Sequence, residues 1–165
     1  MHMEFDVQLT EKDLYRFNIY QSYTSSQGIV SLILTVLGII MMVTALMEGN
    51  VWYGILYFIF SIIVLFYIPV SLRTRVKLTM KSNAVLSGVL HYEVSEEGIA
   101  VSTGEEKAML PWKQIYKMIS TKHSVLIYSG RRNAYVLPKA QLGNQYVELK
   151  TLAEKMLEKH RVNLK

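Results

Sequence analysis

The residues able to do chemistry in this chain are few and scattered. Four histidines, His2, His91, His123 and His160, are its only imidazoles, and no two stand at the i, i+4 spacing that places a metal-binding pair on one helix face. His91 alternates with the apolar residues Leu90 and Tyr92, which predicts a place on the outer, solvated face of a strand. Glu96-Glu97 and Glu105-Glu106 are adjacent carboxylates, but both pairs fall in turn sequences. A general acid needs a shaped, desolvated pocket, and a turn does not supply one. Cysteine is absent, so disulfides, thiolate nucleophiles and Cys-based zinc sites are excluded. There is no glycine-rich phosphate loop and no nucleophile elbow. The expectation is a protein that is not an enzyme, with no catalytic, cofactor-binding or metal-binding residues and no cofactor.

Residues suited to contact remain. Trp112 suits either a core anchor or the wall of a peptide groove beside an exposed sheet edge. Arg131-Arg132, with Lys122 and Lys139 as candidate neighbours, suits a solvated hairpin tip or a contact to anionic groups such as lipid phosphates. Arg73, Arg75, Lys77 and Lys81 follow an apolar run and suit snorkelling to anionic lipid head groups. These seven are the candidate partner or lipid contacts. Nucleic acid is not an expected partner, because the bases are scattered and no aromatic–basic platform repeats.

The elements that must position these residues are organised around two apolar runs. Ile29–Met47 is nineteen residues without a charge, Val51–Val70 is twenty, and only Glu48, Gly49 and Asn50 separate them. At about 1.5 Å per residue each run matches a bilayer's hydrocarbon core of about 30 Å. The Gly-Asn break suits a tight turn, so 29–70 is predicted as a transmembrane helical hairpin. Neither run holds an Asp, Glu, Lys, Arg or His, which argues against an ion path through a single hairpin. Gly38, Ala45, Gly54 and Ser61 are small enough for close helix approach, and a homo-oligomer is one candidate assembly. Trp52, Tyr53, Tyr57 and Tyr67 suit interface anchors. The acidic, patterned segment ahead of the first run is unlike the basic leader of a signal peptide. The turn carries no base while both outer flanks do, which predicts both termini in the cytoplasm of a multi-pass cell-membrane protein.

The flanks read as follows. Residues 1–28 hold a period-2 strand, Glu4–Leu9, then a Thr10–Asp13 capping box and an amphipathic helix over about residues 11–24, whose apolar face packs on the soluble part or lies at the interface. Residues 71–87 continue the second span as a basic helix. From 88 to 165 about six short strands precede an amphipathic helix with Asn144 as candidate N-cap and the stripe Tyr146, Leu149, Leu152, Ala153, Met156 and Leu157. Strands closed by one C-terminal helix are the order of a pleckstrin-homology-like (PH-like) domain. The expected fold class is therefore a membrane protein: a two-helix transmembrane hairpin plus a small α+β domain, a PH-like antiparallel barrel or sheet closed by a C-terminal helix.

On these residues the chain resembles the YcxB-like family of bacterial membrane proteins. The matching features are EFDVQLTEKDLYRF, the two-span hairpin, HYEVSEEGIAVST, LPWKQIYKM around Trp112 and Ile115, and AYVLPK around Tyr135 and Pro138. The resemblance implies an integral membrane protein with a cytoplasmic PH-like domain and implies no catalytic activity.

The functional expectation is a membrane-anchored, non-enzymatic interaction or regulatory module. It would act on a membrane or cytoplasmic protein partner, as a regulator or an immunity-type protein, and meet anionic lipid head groups. The rival readings are a subunit of an oligomeric pore or transporter, separated by an uptake or single-channel assay, and an enzyme, separated by substituting His91, His123 and the turn glutamates.

Overall fold

The alternation of Phe5, Val7 and Leu9 with charged residues folds as a strand whose partner lies far along the chain. The computed structural model describes residues 2–104 and 106–164, with the side chains of 84 and 85 outside the description. Strand β1 (Met3–Gln8) pairs antiparallel with β2 (Val89–Val94), placing Asp6 opposite His91 and Glu4 opposite Glu93. Then β2 pairs with β3 (Gly98–Thr103), and β3 with β4 (Glu106–Pro111), giving a four-stranded antiparallel sheet in the order β1-β2-β3-β4. One face is apolar: Val7, Tyr92, Val94 and Ile99 are each no more than 1% exposed.

A second sheet follows in chain order. It contains β5 (Lys117–Ser120), β6 (Ser124–Tyr128) and β7 (Ala134–Pro138), with β8 (Val162–Asn163) laid parallel on β5. All five residues of β6 are buried, so both faces of that strand are covered. The order is β7-β6-β5-β8, and among the described residues no ladder joins the two sheets. The barrel form expected from the strand series is therefore corrected to two separate sheets. The reason is local. Pro111 has no N–H to extend the ladder, and Trp112–Gln114 winds into a 3-10 turn that carries the chain out of the first sheet before β5 begins.

The helices are α1 (Glu11–Tyr23), α2 (Ser26–Met47), α3 (Val51–Ser82), α4 (Ala84–Ser87), α5 (Lys139–Leu142) and α6 (Gln145–Met156). The capping box forms as predicted: the Asp13 N–H donates to Thr10 Oγ1 and the Thr10 N–H to Asp13 Oδ2, both at 3.2 Å. Asn144 does not act as an N-cap. It already has helical dihedrals and its side chain makes no cap bond, because the preceding turn is set by Gly143 at φ 51°. Leu149, Leu152 and Ala153 of α6 are buried. At its start the Gln145 amide donates to the Glu4 carbonyl on β1 at 3.0 Å, and the Tyr146 hydroxyl to Ser120 Oγ on β5 at 3.5 Å. The first turn of α6 thus touches both sheets.

The chain divides into two compact units, Met1–Leu14 with Thr79–Lys165, and Tyr15–Leu78. The first holds both sheets, with β1 joining it from ahead of the second unit. The second holds α2 and most of α3. These helices are 22 and 32 residues long and apolar enough to cross a membrane, and nearly all their large apolar side chains are exposed. The small residues Gly38, Ala45, Gly54 and Ser61 are buried inside the pair. Gly38 abuts Ser61 Oγ, and the Ser31 hydroxyl reaches the Val64 carbonyl at 3.3 Å, so close packing is used within the hairpin. The turn is a Schellman motif. Gly49 has φ 76°, its N–H bonds the Leu46 carbonyl at 3.1 Å, and the Asn50 N–H bonds the Ala45 carbonyl at 2.8 Å.

Candidate functional site

The outer face of the first sheet carries a cluster of titratable groups. His91 Nδ1 and Asp6 Oδ1 are 2.7 Å apart across β1 and β2, and Lys107 Nζ donates to Glu93 Oε2 at 2.7 Å across the same face. Glu4 and Glu93 stand directly opposite each other. Such a like-charged pair is destabilising, and here His2 lies 2.7 Å from Glu4 while Lys107 holds Glu93. The hydrogen bond to Asp6 is the main cause that raises the His91 pKa above 6.5, with the charges of Asp6, Glu4 and Glu93 adding to it. The Lys107 hydrogen bond chiefly holds Glu93 below the usual carboxylate range, and Lys155 of α6 does the same for Glu96. Among the described residues no group of three or more His, Asp or Glu is arranged to hold a metal ion. Glu105 of the second acidic pair lies outside the described residues.

This arrangement makes a pH prediction. The charged His91–Asp6 pair fastens β1 to β2. A raised folded-state pKa means its contribution to stability is fully present below about 6.5, the unfolded value, and is lost as pH rises through the folded value. Asp6→Asn is expected to bring the His91 titration, followed by its ring NMR signals, down toward the ordinary imidazole value. An unmoved titration would show that Asp6 is not the cause.

Trp112 lies in the 3-10 turn and is 4% exposed, with its indole N–H donating to the Ser95 carbonyl at 2.8 Å. It is a core anchor joining the β2–β3 turn to the chain between the sheets, and it has no free face with which to wall a groove. Arg131 and Arg132 are exposed in the turn between β6 and β7. Lys139 instead lies over the Tyr146 ring, 4.9 Å from its centroid. In the second unit Arg73, Arg75 and Lys77 are exposed, with the Arg73 guanidinium 5.6 Å from the Tyr15 ring centroid. Lys81 is exposed in the first unit. Within the first unit, Trp112 is buried while Arg131 and Arg132 are exposed at the β6–β7 turn.

What sequence reasoning missed is a cleft of about 500 Å³ on the inner face of the first sheet, beside β4. Leu86, Leu90, Val101, Ala108 and Tyr135 give it apolar walls, and Thr103 and Glu106 add polar groups. Thr103 pairs with Glu106 and Val101 with Ala108, so cross-strand rows build the floor. Tyr92 is the next residue in the Val101–Ala108 row. Its hydroxyl is buried, has no hydrogen-bond partner among the described residues, and is pushed to a higher pKa by that burial, with Tyr135 adding to the effect. The available signal was the spacing of Glu106 and Ala108, which puts both on one face of a strand.

The fold and its surroundings define a small two-sheet α+β unit interrupted by two helices long and apolar enough to cross a membrane. Residues 94–153, from the end of β2 into α6, match the sequence profile of the family described as YcxB-like protein. No curated protein and no solved structure matches the chain.

Proposed function

We propose that this chain is a membrane-anchored, non-enzymatic interaction module. In this reading α2 and the apolar part of α3 cross the cell membrane, both termini lie in the cytoplasm, and the soluble unit is a PH-like domain that engages a membrane or cytoplasmic protein partner. The observation that carries the proposal is topological: α1, α2 and α3 are inserted between β1 and β2, two neighbouring strands of one sheet. A domain whose adjacent strands both lead to apolar helices is tethered at two points. The PH-like assignment draws support from four antiparallel strands, then the β5–β6–β7 meander, then a C-terminal helix. The orientation draws support from the Glu48–Asn50 turn, which carries no base, while Arg73, Arg75, Lys77 and Lys81 follow the second apolar run, where anionic head groups would meet them. The non-enzymatic assignment draws support from the solvent exposure of the His91, Asp6 and Glu93 side chains.

The test uses the absence of native cysteine. Single replacements Asn50→Cys and Arg131→Cys are labelled with a membrane-impermeant maleimide on intact and lysed cells. Labelling of Asn50→Cys on intact cells, and of Arg131→Cys only after lysis, is expected. Labelling of Arg131→Cys on intact cells would overturn the orientation and move the search for partners outside the cell.

A further inference from the structure

The edges of the two sheets are not treated alike. The outer edge of β1 is closed by side chains. The Gln8 N–H donates to Gln141 Oε1 at 2.8 Å, Gln141 Nε2 donates back to the Gln8 carbonyl at 2.9 Å, and Gln145 Nε2 bonds the Glu4 carbonyl. In the second sheet, β8 is two residues long, and β7 is buried over 136–138 and runs straight into α5. Only β4, among the described edge strands, has four successive exposed residues, Glu106 through Met109, so neither of its faces is covered there.

We propose that this open β4 edge and the cleft behind it receive an extended segment of a partner protein, added as a further strand, with an apolar side chain in the cleft and a basic side chain against Glu106. The proposal rests on the reading of the domain as an interaction module. The chemistry of the edge selects the occupant. Alternate backbone N–H and C=O groups of β4 point away from β3, and a row of alternating donors and acceptors is matched by another extended backbone. Charged side chains commonly guard such edges, but Lys107 is tied back to Glu93 on its own sheet at 2.7 Å. On the inner face Ala108 is small and exposed, and the cleft stands open above it. Glu106, two residues away and so on the same face, lines the mouth of the cleft, and among the described residues its carboxylate has no ion-pair partner. A strand running antiparallel to β4 would therefore carry an apolar residue opposite Ala108 and Lys or Arg two positions later, opposite Glu106.

The test is selection of a displayed library of random ten-residue peptides on the full-length chain in detergent micelles. Enrichment of an apolar-x-Lys/Arg pattern is expected, together with slowed hydrogen exchange of the β4 amides when a selected peptide is added as a synthetic chain. Ala108→Trp, which fills the cleft, is expected to weaken binding at least tenfold. Glu106→Lys is expected to weaken it similarly and to be rescued when the basic residue of the peptide is changed to Glu. Both sites are exposed, and an unchanged thermal midpoint for each variant confirms that the fold is kept. The proposal is overturned if no peptide is enriched, if the enriched peptides bind both variants as well as the parent, or if β4 exchange is unaffected. It is also overturned if Met109→Cys crosslinks two copies through this edge, since a second copy would then be its occupant. None of these failures touches the maleimide result, so the anchoring proposal stands or falls separately.

Discussion

Trp112→Ala is expected to cost the two-sheet unit about 4 kcal/mol, within the range of about 3–5 kcal/mol for removing a buried tryptophan side chain. The side chain is 4% exposed and sits where the chain passes from one sheet to the other. Its loss opens a cavity at that joint and also removes the donor to the Ser95 carbonyl. A unit of this size has total stability on the order of 5–15 kcal/mol, so the variant should expose its β6 amides to hydrogen exchange at temperatures where the parent protects them. Trp112→Phe keeps a ring in place and loses chiefly the hydrogen bond, for about 1–2 kcal/mol. Protection unchanged in Trp112→Ala would show that the residue is not a core anchor, and the groove-wall reading would reopen.

Gly98→Ala is expected to be nearly as damaging, at about 3 kcal/mol, although it adds a single methyl group. Gly98 opens β3 opposite Pro111 of β4. An added Cβ would stand 2.8 Å from the Pro111 Cα and still nearer the Leu110 carbonyl oxygen. Both obstacles are backbone, so no rotamer change relieves them and the β3–β4 pairing must open. Gly130→Ala is the matched control, because an added Cβ there meets nothing within 4 Å. Equal thermal midpoints for the two variants would show that β4 moves aside easily and that the close approach at Gly98 carries no weight.

Local patterns in the sequence carried much of this architecture. The two apolar runs, the Gly49 turn, the Thr10–Asp13 box and the strands from 89 to 138 were legible because each depends on residues a few positions apart. Hydrophobic periodicity reports which face of an element is buried, but not which neighbour buries it. For that reason the pairing of β1 with β2 was not legible; Asp6 and His91 lie 85 residues apart and nothing local joins them. The glutamine caps on β1 span still more of the chain, with Gln8 and Gln141 separated by 133 residues. Trp112 illustrates the limit for single residues. Its type suits a core or a groove equally, and only the Ser95 carbonyl and the surrounding burial decide. The cleft beside β4 arises where two sheets fail to meet, and no one segment encodes such a space.

The insertion of α1, α2 and α3 between neighbouring strands also sets the order of assembly. β1 leaves the ribosome well before β2, and the loop between them holds eighty residues, from Leu9 to Gly88. Closing a flexible loop of that length carries a length-dependent entropic cost of about 4 kcal/mol. A formed helical hairpin returns the chain to the side from which it left, so most of those residues no longer contribute to the closure. Under the anchoring proposed above, the bilayer would act as a folding template for the first sheet: that sheet is expected to acquire its edge strand efficiently only after the hairpin has inserted, and a chain that misses the membrane is expected to expose β2 as a raw edge. Under that proposal, completion of the first sheet is conditional on arrival at the membrane.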